Sequence, residues 1–180
     1  MVQLLMASSH QSPVQGALDL SEKDWEKAFK TNVTGTWLML KYVCRHMVAL
    51  NQGGSIINIS SCAGLGRTHE IGAVAYISSK AAFNTMTKVM AMELGKHKIR
   101  VNSICPGLFK SEITEELLKK KWLKNVVSNI VPLKDLGTTD PDLTSLVRYL
   151  VHGSSDYVNG NIFIVEAGYI LPSVPLYSSL

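Results

Sequence analysis

Short apolar runs alternate with longer amphipathic ones along this chain. "SIINIS" (55–60) and "IRVNSI" (99–104) are β-branched, nearly continuous apolar stretches, the pattern of parallel strands covered on both faces. "GNIFIVEAG" supplies a third strand over 161–165, and a short strand from Val2 to Met6 fits within an otherwise irregular segment 1–20. Between these lie helical patterns. Ser21 followed by Asp24 suits an N-cap before "EKDWEKAFK". "TWLMLKYVCRHMVAL" is apolar on several faces, which predicts a largely buried helix, and "NQGG" ends it. "AYISSKAAFNTMTKVMAMELGK" predicts a long helix stopped at Gly95. Residues 111–130 read as an amphipathic helix, and "TTDPDLTSLVRYLVH" as a helix with Thr139 or Asp140 near its start and Pro141 in its first position. Strands alternating with helices predict βαβ units and a parallel sheet. Three well-marked strands are few for an open α/β domain.

The chain's 180 residues, 46% hydrophobic and 18% charged, suit one globular domain with a sizeable core. The net charge of +4 is mild, and the basic residues are scattered apart from Lys119, Lys120, Lys121 and Lys124. Nothing in this points to a nucleic-acid partner. No apolar run approaches the ~20 residues that span a bilayer, so no membrane partner is expected. "MVQLLMASSHQ" lacks the basic start of a secretory leader. Cys44, Cys62 and Cys105 show no metal-ligand spacing and read as reduced thiols of an intracellular, cytoplasmic protein. The sequons at Asn32 and Asn58 are then chance matches.

Candidate chemistry centres on Tyr76 and Lys80. At positions i and i+4 of a helix they share one face. A phenol titrates near 10, too high for ready proton exchange at neutrality, but a nearby ammonium favours the phenolate. The phenol then becomes a usable general acid or base. A Tyr–Lys pair on a helix is more often surface packing, so the surroundings decide. Ser60 and Ser61 end a strand at the carboxyl edge of the sheet, where open α/β folds bind ligands. "RVNSICPGLFKS" turns at the same edge.

"GGSIINISSCAG", "AYISSKAAF" and "IRVNSICPGLFKS", with "WEKAFKTNVTGTW" before and "NGNIFIVEAGY" after, resemble the short-chain dehydrogenase/reductase family, and within it plant 3-oxoacyl-carrier-protein reductase-like and tropinone-reductase-like members. The resemblance covers about residue 17 to the end. It implies an α/β Rossmann-type parallel sheet flanked by helices and a tetrad of Asn32, Ser61, Tyr76 and Lys80. Tyr76 would exchange the proton. Lys80 would lower its pKa and hold the nicotinamide ribose. Ser61 would bind the substrate oxygen, and Asn32 would kink its helix and hold a water behind Lys80. Pro106, Gly107, Leu108 and Ser111 would lie by the nicotinamide, with Ser111 standing where the family usually has threonine. The implied cofactor is NADP or NAD, with NADP favoured. The implied substrate is a small carbonyl or alcohol compound.

The family's T-G-x-x-x-G-x-G turn and N-N-A-G segment do not occur in this sequence; "MASSHQSP" stands where the latter would fall. The expectation is therefore a single truncated Rossmann-type domain over 1–180, without the family's first three strands and with its fourth in question. Strand 55–60 would then lie near a raw edge. Two functional readings follow. One is an NAD(P)-dependent oxidoreductase interconverting a ketone and a secondary alcohol. The other is an inactive fragment that serves as a dimerisation module through helices 22–50 and 75–95, the family's usual oligomer contact. Segment 108–130, with Leu117, Leu118, Trp122 and Leu123, falls where the family has a mobile substrate lid. "KKKWLK" could attract an acidic acyl carrier, although a solvated helix face is the plainer reading. His69 and Glu70 fall at a loop tip.

Overall fold

A computed structural model describes residues 2–7, 14–66, 71–111, 114 and 118–171. His69, Glu70 and Leu117, and the side chains of Trp122 and Lys124, lie outside that description. The sheet contains β1 (Val2–Ala7), β2 (Gly54–Ile59), β3 (Ile99–Pro106) and β6 (Ile162–Val165), in the order β1-β2-β3-β6 and all parallel. The short strand expected at the start is therefore present, and segment 1–20 is not irregular throughout. β1 pairs with the whole of β2, from Val2 opposite Gly54 to Ala7 opposite Ile59. β2 has neighbours on both sides and lies one strand in from the sheet's β1 edge, near an edge as expected.

Helices cover both faces. Alternation along each strand sends Ile56, Ile99 and Val101 to one face, where they pack with Leu40, Cys44, Met47 and Ala91 from α2 (Thr36–Ala49) and α3 (Val74–Leu94). Ile57 and Ile104 point the other way and meet Leu150 of α5 (Thr144–Val151). Fully buried strands explain why β2 and β3 read as continuous apolar runs rather than alternating ones.

α1 (Glu22–Phe29) starts at the Ser21 cap, whose side chain accepts from the Asp24 amide, as the sequence implies. It passes into α2 through a π-helical segment, Lys30–Gly35. The expectation of a largely buried α2 is not met. Only Thr36, Leu40, Cys44 and Met47 are buried, one stripe at helical spacing, while Trp37, Leu38, Met39 and Tyr42 are exposed. One sheet face can cover only one stripe of a helix.

The C-terminal third departs further from expectation. Of the helix expected over 111–130, α4 (Lys121–Asn129) is present, while residues 112–113 and 115–117 lie outside the described residues; flanking it, a two-residue strand β4 (Phe109–Lys110) pairs with β5 (Gly137–Thr138), which the sequence pattern does not indicate. A π-helical segment, Thr139–Leu143, runs into α5, and within it Asp140 is extended (φ −117, ψ 126), the backbone of an N-cap, with Pro141 directly after it as the sequence implies. The Asp140 side chain still serves the helix start by accepting from the Thr144 hydroxyl. Cys44, Cys62 and Cys105 are all buried and not in disulfides. Among the described residues no helix is long and apolar enough to cross a membrane, and no His/Cys/Asp/Glu cluster could hold a metal.

Candidate active site

Strand β2 ends at Ile59, and one further ladder bond, from the Ser60 amide to the Ile104 carbonyl at 2.8 Å, carries the chain to the sheet's carboxyl edge. Ser61 is the first residue beyond it. Its extended backbone (φ −158, ψ 149) opens a 3₁₀ turn, Cys62–Leu65, and its Oγ accepts from the Ala63 amide at 3.2 Å. Ser61 stays half-buried, and a hydroxyl that accepts here still has its own hydrogen to donate.

The turn lies directly against α3. A Cβ on Gly64 would sit 2.6 Å from the Lys80 carbonyl carbon and 2.8 Å from Lys80 Cβ, so only glycine permits this approach. The Asn84 amide nitrogen donates to the Gly64 carbonyl at 3.3 Å. The loop bearing Ser61 is thereby held to the helix bearing Tyr76 and Lys80.

On α3, Tyr76 is half-buried while Lys80 is only 1% exposed. The Lys80 ammonium lies 5.8 Å from the Tyr76 ring centroid and 5.6 Å from that of Phe83. Burial pushes Lys80 down to about 8, against the opposing charge interaction with Cys105. Burial also pushes the Cys105 thiol up, so it is neutral near pH 7. Even so lowered, Lys80 remains mainly protonated at neutral pH.

Asn32 is fully buried in the π-helical segment, and its amide nitrogen donates to Ser79 Oγ at 3.0 Å. Ser79 in turn donates to the Tyr76 carbonyl at 2.7 Å. The expected irregularity in Asn32's helix is thus the π segment, a feature common at functional sites. It brings Asn32 to the turn of α3 between Tyr76 and Lys80.

At the end of β3, Pro106, Gly107 and Leu108 are half-buried. The Gly107 amide donates to the Val165 carbonyl at 2.9 Å, and a Cβ there would fall 2.5 Å from Glu166 Cβ. This turn also closes only around glycine. Ser111 is exposed beyond β4, and its hydrogen bonds run to Thr114. The structure therefore gathers Asn32, Ser61, Tyr76 and Lys80 around one end of α3. It puts Pro106–Leu108 at the same edge of the sheet and Ser111 farther along the surface.

The model for the family described as Enoyl-(Acyl carrier protein) reductase matches residues 4–170. The chain belongs to the short-chain dehydrogenase/reductase family. The (3R)-3-hydroxyacyl-CoA dehydrogenase of Mus musculus is 35% identical over 151 residues, which is 84% of this chain and 56% of that protein. This chain thus spans a little over half the length of the curated relatives it matches. Among solved structures, 4-hydroxyisoleucine dehydrogenase complexed with NADH aligns with a TM-score of 0.87 at 31% identity, covering 93% of this chain and 67% of that one. A short-chain type dehydrogenase/reductase from Mycobacterium ulcerans aligns with a TM-score of 0.88 at 26% identity, covering 98% and 63%. The parallel sheet with helices on both faces is the Rossmann-type fold of this family.

The donor set at the edge of the sheet suits the nicotinamide end of a dinucleotide. It combines a buried ammonium, a half-exposed phenol and a half-exposed hydroxyl. The Gly-rich turn that would receive a pyrophosphate is not part of this sequence. Sequence reasoning missed Gly64, Ser79, Asn84 and Cys105. The available signal was spacing, since Asn84 lies four residues past Lys80 on the same helical face.

Proposed function

We propose that this chain carries the catalytic end of a nicotinamide-dependent oxidoreductase that interconverts a ketone and a secondary alcohol. The observation that carries the reading is the buried Lys80 ammonium beneath the half-exposed Tyr76 ring, with the Ser61 loop packed against the same helix. Tyr76 gives its hydroxyl proton to the carbonyl oxygen, or takes the alcohol proton in the reverse direction. The Ser61 hydroxyl donates a hydrogen bond to that same oxygen. Lys80 keeps positive charge beside the phenol and would hold the ribose hydroxyls, while Pro106, Gly107 and Leu108 would border the nicotinamide and Ser111 would stand at its outer side. When bound, NADP or NAD supplies or accepts the hydride. The residues that choose between the two belong to the family's Gly-rich half, outside the part matched here.

Segment 108–130 would serve as the substrate lid. In support, α4 borders a cleft of about 530 Å³ lined by Leu118, Leu123, Val127 and Leu136, although none of Ser61, Tyr76, Lys80 or Pro106 lines it.

A second reading, a self-associating module, draws on the helix surfaces. Trp37, Tyr42 and Met92 are 43%, 60% and 77% exposed, a large apolar display on helices α2 and α3. In this reading the chain is an inactive fragment, so turnover separates it from the first.

The test is turnover. The chain is incubated with NADPH and a panel of ketones, including 3-oxoacyl thioesters, and loss of nicotinamide absorbance is followed. The proposal expects saturable turnover that falls at least about a hundredfold in Tyr76→Phe. Turnover unchanged in that variant would overturn it.

A further inference from the structure

The Ser61 loop, α3 and β3 each bring one part of the candidate site, and one buried side chain touches all three. Asn84 is 6% exposed and sits on α3 one turn beyond Lys80. Its Nδ2 donates to the Gly64 carbonyl in the Ser61 turn at 3.3 Å. Its Oδ1 accepts from the Cys105 thiol, next to Pro106, at 3.5 Å. The two bonds fix the amide's orientation. If it were flipped, its oxygen would face a carbonyl oxygen, with two acceptors in contact. Burial away from water makes loss of either bond costly.

We infer that Asn84 is a positioning residue that sets the height of Ser61 against Tyr76 and Lys80 by tying the Ser61 turn and the tip of β3 to one face of α3. The geometry assigns the work chiefly to the Gly64 bond. Asn58 donates to Thr87 at 2.9 Å one turn farther on and already fixes α3 against β2. The Ser61 backbone and the Ser60 side chain also meet the Cys105 thiol, so Asn84 adds the tether that joins the far end of this turn, at Gly64, to α3. The inference rests on the proposed function for its catalytic meaning, but the tether itself can be tested without cofactor or substrate.

The molecule contains its own reporters. Cys62 follows Ser61 within the turn, is buried, and becomes reactive when the turn opens. Cys44 is buried in α2 against the sheet and serves as the reference within the same chain. Alkylation by iodoacetamide under native conditions is followed at each cysteine by mass spectrometry in the parent, Asn84→Ala and Asn84→Asp. The tether predicts that Cys62 labels roughly five- to tenfold faster in both variants while Cys44 is unchanged. Labelling is run at about pH 9, where aspartate is ionised; it then keeps the acceptor for Cys105 but cannot donate to Gly64, so it must behave like alanine. Unchanged Cys62 labelling overturns the inference. So does an equal rise at Cys62 and Cys44, which marks general destabilisation, and so does parental behaviour in Asn84→Asp at that pH. Failure of turnover in the parent chain would count against the proposed function and leave this labelling result standing.

Discussion

The backbone of Lys80 occupies the space that a side chain at residue 64 would need: a Cβ on Gly64 would come within 2.6 Å of the Lys80 carbonyl carbon. The obstructing atoms are helix backbone, which cannot swing aside. Gly64→Ala is therefore expected to destabilise the chain by about 1–3 kcal/mol, as other overpacked sites do. The check is a lower urea midpoint with an unchanged m-value.

Lys80 should make stability depend on alkaline pH. Its folded pKa of about 8 lies below the usual 10.5. Below about 8 both folded and unfolded chains hold the proton, and the fold carries the full cost of a buried ammonium. Between the two values the unfolded chain binds more protons than the folded one, so unfolding free energy rises with pH, by up to about 3 kcal/mol. Lys80→Met removes that cost. The variant's stability relative to the parent should be higher at about pH 7 than at about pH 10, as measured by denaturant midpoints at both. A pH-independent difference would show that Lys80 is not buried as described.

Much of this architecture can be read from the chain. The apolar runs at 55–60, 99–104 and 161–165 became β2, β3 and β6 within two residues at either end, because strands buried on both faces carry that signature. The long helix around Tyr76 and Lys80 was equally plain, and so was their shared face. The depth of Lys80 was not legible, since lysine is usually at the surface and only the third dimension closes the Ser61 turn and Phe83 over it. The irregular helix at Asn32 is implied only by the family resemblance of that block, because no local hydrophobic pattern in "FKTNVTG" marks a π-helical segment. The bridge between Phe109–Lys110 and Gly137–Thr138 joins residues too far apart for any local pattern to reveal.

The Asn32–Ser79–Tyr76 chain of hydrogen bonds should act as a unit. Asn32→Ala and Ser79→Ala each remove one partner from a buried pair, at about 1–3 kcal/mol. Because they share a bond, the double variant should cost at least about 0.5 kcal/mol less than the sum of the two. A double-mutant cycle on urea midpoints measures this directly, and strict additivity would mean that the two side chains are not coupled.

Oligomerisation, if it uses the exposed faces of α2 and α3, should be sensitive to charge placed there. Tyr42→Glu and Met92→Glu alter residues that pack little within the chain, so folding stability should change by less than about 0.5 kcal/mol. Sedimentation velocity should show the parent as a dimer or larger and both variants shifted toward monomer. A parent that is monomeric at all concentrations would remove the module reading.

Cofactor binding offers the sharpest test of the whole account. NADPH is titrated into the purified chain and into Lys80→Met, with nicotinamide fluorescence as the signal. Saturable binding to the parent with a Kd below about 1 mM, weakened at least about tenfold in the variant, is the expected result. Indistinguishable curves for the two proteins, or no saturation by the parent, would contradict the claim that the buried ammonium beneath Tyr76 is a nicotinamide site.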